Sequence, residues 1–191
     1  MTTIGFVRHG ITAWNKEGRE QGSSDISLDE EGIQMSRCIA DRLAKEDWDI
    51  VYTSPLMRAK QTAELIVEKK PSMDLVIDNR IREIGSGLIE GTTEAERIEK
   101  WGQSWRSLGL GFESREETIG RGLAFIEEIS RAHSGKRVLV VSHGSFIVEL
   151  VEALIPTGNL GIALDNTSLT IIQLKEDQNI CILYNCTKHL S

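Results

Sequence analysis

A chain of 191 residues, 40% hydrophobic, 27% charged and only three of them proline, suits one domain with a substantial core rather than a disordered or fibrous protein. Its formal net charge of −7 argues against nucleic acid or an anionic membrane as partner, since both favour a basic surface. No apolar stretch is long enough to span a bilayer, the first residues lack a signal-peptide pattern, and three widely spaced cysteines give no disulfide framework, so the reading is a cytoplasmic protein.

In chain order, residues 4–7 form a short apolar run that breaks off into Arg8-His9-Gly10. Such a run bounded by glycine predicts a buried strand with polar chemistry at its end, where open α/β sheets place ligands. Residues 12–22 read as a loop with one helical turn. Ser27, with Glu30 three residues on, reads as a capping box that opens a helix, and Met35, Ile39 and Leu43 give that helix one apolar face. Cys38 in this helix and Cys181 further on are expected as small buried hydrophobes. Residues 50–53 predict a second buried strand. Pro55 marks the start of a helix over residues 56–68, because its missing N–H has no intrahelical partner there. Arg58 falls in the first turn of that helix, near the strand's C-terminal edge. Residues 75–77 predict a third strand.

The stretch 80–114 is less regular and punctuated by glycines. A helix is predicted over residues 93–106, with Trp101 and Trp105 one turn apart. It reads either as an inserted cover over a pocket mouth or as a helix buried on the body by its two tryptophans. Ser114 with Glu117 is a second capping box, and Ile119, Leu123, Ile126 and Ile129 predict a long amphipathic helix ending near His133. Residues 137–142 form another apolar run, this time ending in His143-Gly144, followed by a helix over residues 145–154. Residues 169–174 and 180–184 predict an antiparallel pair of strands. Strands alternating with helices indicate an α/β protein, a three-layer α/β/α sandwich with a mostly parallel central sheet and an antiparallel edge.

Two apolar runs thus end in His-Gly. Lying side by side and parallel, they would bring His9 and His143 to one pocket. With Arg8 and Arg58 they make a dense cationic cluster in an acidic protein. Guanidinium groups bind phosphate bidentately and do not deprotonate, so the cluster suits a phosphoryl group. Gly10 and Gly144 are read as allowing close approach of backbone N–H groups, and Ser145 begins a helix whose N-terminus favours an anion. His9, kept neutral by the two arginines, is the candidate nucleophile. Glu83 is the candidate proton donor, with Glu90 and Glu113 as rivals on composition alone. Trp14, Leu88, Leu110 and Phe112 are read as an apolar rim. The four histidines form no HxH or HExxH pair and no CxxC is present, so no metal is expected.

Arg8-His9-Gly10-x-Thr12-x-x-Asn15 resembles the signature of the histidine phosphatase superfamily, the phosphoglycerate mutase-like clan. Gln21-Gly22, Ser54-Pro55-Leu56-x-Arg58, Arg82-Glu83-Ile84, Ser142-His143-Gly144 and Asn166-x-Ser168 resemble its later blocks, in order. The resemblance implies a phosphoglycerate mutase-like fold in one domain over residues 1–191, with 80–114 as a cover over the active site. It implies that His9 is phosphorylated, that Glu83 donates the proton, and that Arg8, Arg58 and His143 hold the phosphoryl group. Thr12, Asn15, Gln21, Gly22 and the backbone of Gly144 would contact substrate, with no metal or cofactor. Glu20 stands where the family commonly has an apolar residue, and Leu88-Ile89 replaces its usual aromatic. The leading expectation is a phosphatase acting on a small phosphorylated substrate. The alternatives are a phosphoglycerate mutase and a non-catalytic phosphate-binding module.

Overall fold

The computed structural model describes residues 1–156 and 163–191. Among them, six strands form a sheet in the order β3-β2-β4-β1-β5-β6. The strands are β1 (Thr2–Arg8), β2 (Ile50–Thr53), β3 (Asp74–Ile77), β4 (Arg137–Ser142), β5 (Leu169–Leu174) and β6 (Ile180–Cys186). β1 to β4 run parallel; β5 and β6 add an antiparallel edge. The helices are α1 (Ala13–Glu17), α2 (Glu30–Leu43), α3 (Met57–Lys69), α4 (Glu94–Trp101), α5 (Arg115–Ala132) and α6 (Gly144–Leu154). Among the described residues, no helix is long and apolar enough to cross a membrane.

The strand pattern explains the layers. Side chains alternate across a strand, so a central strand buried on both faces is apolar throughout. Ile4 and Phe6 of β1, with Val138 and Val140 of β4, pack with Phe125, Ile129, Phe146 and Leu150 of α5 and α6. On the opposite face Val7, Val51, Leu139 and Val141 pack with Ile39, Leu43, Ala63 and Ile66 of α2 and α3. Each fully buried Val, Leu, Ile or Phe among these contributes about 1.5–3 kcal/mol of transfer free energy. The register between β1 and β4 sets Arg8 opposite Ser142, and the His9 N–H donates to the Ser142 carbonyl at 3.0 Å. His9 and His143 therefore leave the sheet at the same edge.

Several local expectations shift. Asp29, not Ser27, caps α2: its carboxylate accepts the Gly32 N–H at 2.8 Å, while the neighbouring Leu28 N–H is tied to Gln61 of α3. Pro55 lies outside α3, whose cap is Leu56. Cys38 is exposed on the outer side of α2 and Cys181 is half-buried, whereas Cys186 is buried. On α5 Ile126 and Ile129 face inward as expected, together with Thr118, Gly122 and Phe125, but Leu123 is 40% exposed. Helix α4 ends at Trp101 because Gly102 turns out of it at φ +80°. Trp105 falls in a separate 3-10 turn and joins Ile89 and Leu110 in a small cluster of its own. The stretch around it is tied to the loop after α1: the Glu20 N–H donates to the Thr92 carbonyl, and the Gly91 N–H donates to the Glu20 carbonyl.

Candidate active site

A cavity of about 500 Å³ opens at the C-terminal edge of the parallel strands. Arg8, His9, Arg58, Glu83 and Gly144 line its floor, and Asn15, Gln21 and Gly22 line one wall. Arg8 ends β1, His9 follows it, and Arg58 projects from the first turn of α3. Glu83 follows a 3-10 turn (Asn79–Ile81), and Gly144 opens α6.

The His9 ring is 2% exposed, and its Nδ1 lies 2.6 Å from the Gly10 carbonyl oxygen. A carbonyl only accepts, so Nδ1 carries the proton and Nε2 keeps its lone pair. Burial, aided by the Arg58 and Arg8 charges, holds this imidazole well below the ordinary histidine pKa. The Asn166 side-chain amide donates to the His9 carbonyl at 3.0 Å and fixes the main chain from the other side. A neutral, oriented imidazole facing a cationic cavity can attack a phosphorus atom.

Arg58 is fully buried. Its Nη1 and Nη2 donate to the carbonyls of Ser24 at 2.7 Å and Gly22 at 2.8 Å, and its Nε donates to His143 Nδ1 at 3.1 Å. His143 Nε2 faces Ser54 Oγ at 2.8 Å, so both nitrogens of this ring are engaged within the protein. Burial, then the Arg58 charge, keeps His143 neutral as well. The two imidazole centroids are 5.2 Å apart, but His143 does not line the cavity. It stands behind His9 and holds Arg58. Arg8 donates through Nη1 to the Leu164 carbonyl, while its buried Nε finds no hydrogen-bond partner among the described residues. An anionic oxygen in the cavity would satisfy that donor.

Of the three candidate acids, Glu83 alone lines this cavity. Its Oε1 accepts the Ile84 and Phe146 N–H groups at 2.9 and 3.0 Å, which leaves Oε2 for a proton. Burial raises its pKa, opposed by those N–H groups and by the Arg58 and Arg8 charges. Glu90 is a brace instead, accepting from Ser23 N, Ser24 Oγ and Ser86 N. Glu113 pairs with Arg121 at 2.7 Å and lines a neighbouring groove.

Other expectations fall differently. Thr12 is buried and does not line the cavity; it caps α1, with its hydroxyl 3.1 Å from Asn15 Oδ1 and 3.0 Å from Gln21 Oε1. Gly10 faces α2, not the cavity: a Cβ there would lie 2.5 Å from the Gly32 carbonyl oxygen. Gly144 does lie against the site: a Cβ there would sit 3.2 Å from Arg8 Nε, a tight contact to which the arginine would have to yield. None of Trp14, Leu88, Leu110 and Phe112 forms a rim to this cavity; Leu110 is buried in the Trp105 cluster and Phe112 lines the neighbouring groove. Among the described residues Arg19, Val148, Glu149, Ala163 and Leu164 also line the cavity, which the sequence reading missed, as does Glu20, which it noted only as a departure from the family pattern. Val148 and Glu149 follow Gly144 and Ser145 by four residues, so helical spacing would have found them.

A family model described as "Histidine phosphatase superfamily (branch 1)" matches residues 4–187. Phosphoserine phosphatase 1 of Hydrogenobacter thermophilus is 32% identical, over all of this chain and 95% of that protein. The structure of Bacillus stearothermophilus YhfR superposes with a TM-score of 0.89 at 28% identity, covering 100% of both chains. The His9→Ala mutant of Entamoeba histolytica phosphoserine phosphatase, solved with phosphoserine, superposes with a TM-score of 0.83 at 28% identity, again over 100% of both chains.

Proposed function

This chain belongs to the histidine phosphatase superfamily, and we propose that it hydrolyses phosphomonoesters through a phosphohistidine formed on His9. One observation carries the reading: the His9 ring is anchored through Nδ1 to the Gly10 carbonyl and kept neutral beside two arginines. That arrangement supports attack by Nε2 on the phosphorus of a bound dianion.

In this reading Arg8 and Arg58 hold the phosphoryl oxygens, and the N-terminus of α6 adds its partial positive charge. The Nε2 lone pair forms the N–P bond while the ester P–O bond breaks. The departing oxygen takes the proton from Glu83 Oε2. The dianion itself favours a protonated Glu83 through like-charge repulsion. Water then enters, Glu83 takes its proton, and the oxygen displaces His9 from phosphorus to release inorganic phosphate. His143 positions Arg58, while Thr12 positions Asn15 and Gln21. Asn15, Gln21, Gly22 and Gly144 line the space for the rest of the substrate. We read the chain as one domain, with 80–114 as the cover, acting in the cytoplasm, where its three free cysteines would stay reduced. The substrate is a small phosphorylated metabolite. Phosphoserine heads the panel because it is named for the relatives in Hydrogenobacter and Entamoeba.

The test is brief incubation with a ³²P-labelled monoester and a quench at alkaline pH, where phosphohistidine survives. Label on the wild type and none on His9→Ala, with turnover lost, is the expected result. Turnover by His9→Ala would sink the reading. With 3-phosphoglycerate, formation of the 2-isomer rather than phosphate would make the protein a mutase. No turnover and no label with any ester would make it a binding module.

A further inference from the structure

We propose that Arg121 and Glu113 form a positioning pair that aims the general acid, so that protonation of the leaving group depends on two residues outside the cavity. This rests on the assignment of Glu83 as that acid. Glu83 lies in an irregular stretch: after the 3-10 turn, residues 82–86 belong to no helix or strand. No ladder holds the main chain there, yet a proton donor must be held within hydrogen-bond reach of the ester oxygen.

Arg121, from the middle of α5, supplies the missing restraint. Its Nη1 donates to the carbonyls of Arg80 at 2.6 Å and Arg82 at 2.8 Å, and its Nη2 to the carbonyl of Glu83 itself at 3.2 Å. Nε and Nη2 donate to Glu113 Oε1 and Oε2 at 2.7 and 3.0 Å. A guanidinium has five N–H donors, and these five bonds use them all. Arg121 has nothing left to offer a substrate. Glu113 in turn pins the residues just after the acid: its Oε2 accepts the Gly85 N–H at 3.1 Å, and its own N–H donates to the Gly85 carbonyl at 2.8 Å. The pair is mostly buried, with side chains 10% and 12% exposed.

A second connection reaches the carboxylate. The Arg121 guanidinium stacks on the Phe146 ring, 4.6 Å from its centroid, and the Phe146 N–H is one of the two donors that orient Glu83 Oε1. The same planar group therefore holds the main chain of Glu83 from one side and packs on the residue that orients its side chain from the other. Lysine has no planar fork and only three donors, so it cannot reproduce this set.

The experiment compares kcat/KM, which reports phosphoryl transfer to His9, for two esters. One is an alkyl phosphate, whose alkoxide needs a proton; the other is 2,4-dinitrophenyl phosphate, whose phenolate leaves without one. Glu83→Gln defines the signature of a missing acid. Arg121→Met is expected to lose ~10–10²-fold on the alkyl ester, the scale of a displaced catalytic group, and under about threefold on the aryl ester. Arg121→Lys should recover only part of the loss. The double variant Glu83→Gln/Arg121→Met should be no slower on the alkyl ester than Glu83→Gln alone, because residues acting as a unit are not additive. Glu113→Gln, a gentler change, should show the same selectivity and decides the matter if Arg121→Met fails to fold. Equal slowing of both esters by Arg121→Met and Glu113→Gln, with a selective Glu83→Gln, overturns the positioning role and leaves the acid assignment standing. An unselective Glu83→Gln overturns both.

Discussion

Acidification tests the claim that His9 and His143 are held neutral, and the size of the effect follows from the site. Both rings are buried and held below the ordinary pKa of 6.5, at which they titrate in the unfolded chain. Below pH 6.5 the unfolded chain binds protons that the folded chain refuses. The stability these groups contribute is therefore complete above pH 6.5 and is lost as pH falls. Each proton is worth about 1.4 kcal/mol per pH unit. At pH 5.5 an unfolded imidazole is about nine-tenths protonated, so the two rings together supply a slope of about 2.4 kcal/mol per pH unit. His189, pushed down to about 4 by burial, adds in the same direction, at roughly half weight because it is only half buried. Glu83 works against them. Its raised pKa makes the folded chain hold a proton that the unfolded chain releases above 4.5, subtracting up to about 1.2 kcal/mol per pH unit. The net slope between pH 5 and 6 is then about 2–3 kcal/mol per pH unit. Urea unfolding at pH 7.0, 6.0, 5.5 and 5.0, followed by the fluorescence of buried Trp48 and Trp105, measures it. His9→Asn, which cannot titrate, should lower the slope by about one proton, or 1.2 kcal/mol per pH unit. A wild-type slope below about 1 kcal/mol per pH unit, or one unchanged in His9→Asn, would refute the account of a neutral, desolvated pair.

Two further outcomes follow from the cavity and its walls. Gly10→Ala forces a methyl group against the Gly32 carbonyl and Ser36 Oγ, at 2.5 and 2.6 Å before relaxation. Overpacking of this kind costs ~1–3 kcal/mol, and Tm should fall by roughly 2–4 °C per kcal/mol; an unchanged Tm with weaker phosphate binding would restore the anion-cradle reading of this glycine. Vanadate, which adopts the shape of the phosphorane, should raise the wild-type Tm, by about 2.7 kcal/mol of stabilisation at a hundredfold excess over Kd. The shift should shrink in Arg8→Met, which removes a guanidinium that lines the cavity; an equal shift in both proteins would place the anion elsewhere.

The parts of this molecule that were legible in its sequence are those where local pattern and global fold agree. The runs into His9 and His143 are apolar throughout because β1 and β4 are buried on both faces, and matching His-Gly endings revealed their common edge. Arg58 was placed by counting residues from the start of α3. What local pattern cannot decide is what distant parts of the chain bury. Glu83, Glu90 and Glu113 look alike as residues, and only packing separates the one that lines the cavity from a brace and a counter-ion. Ser27 and Asp29 are both good caps, and the tether from Leu28 to Gln61 selects the second. Arg121 sits in an amphipathic helix, where an arginine ordinarily reads as solvated, because its acceptors lie some forty residues earlier in the chain.

The position of β1 has a consequence for synthesis. Of the strands described, β1 comes earliest in the sequence yet lies inside the sheet, flanked by β4 and β5, and its register with β4 sets Arg8 against Ser142. At 5–20 residues per second the nascent chain waits roughly 7–27 seconds between making His9 and completing the strand beside it. Throughout that interval this apolar segment lacks both of its sheet neighbours. A product cut short before β4 would carry His9 without the strand that sets it at the edge of the sheet.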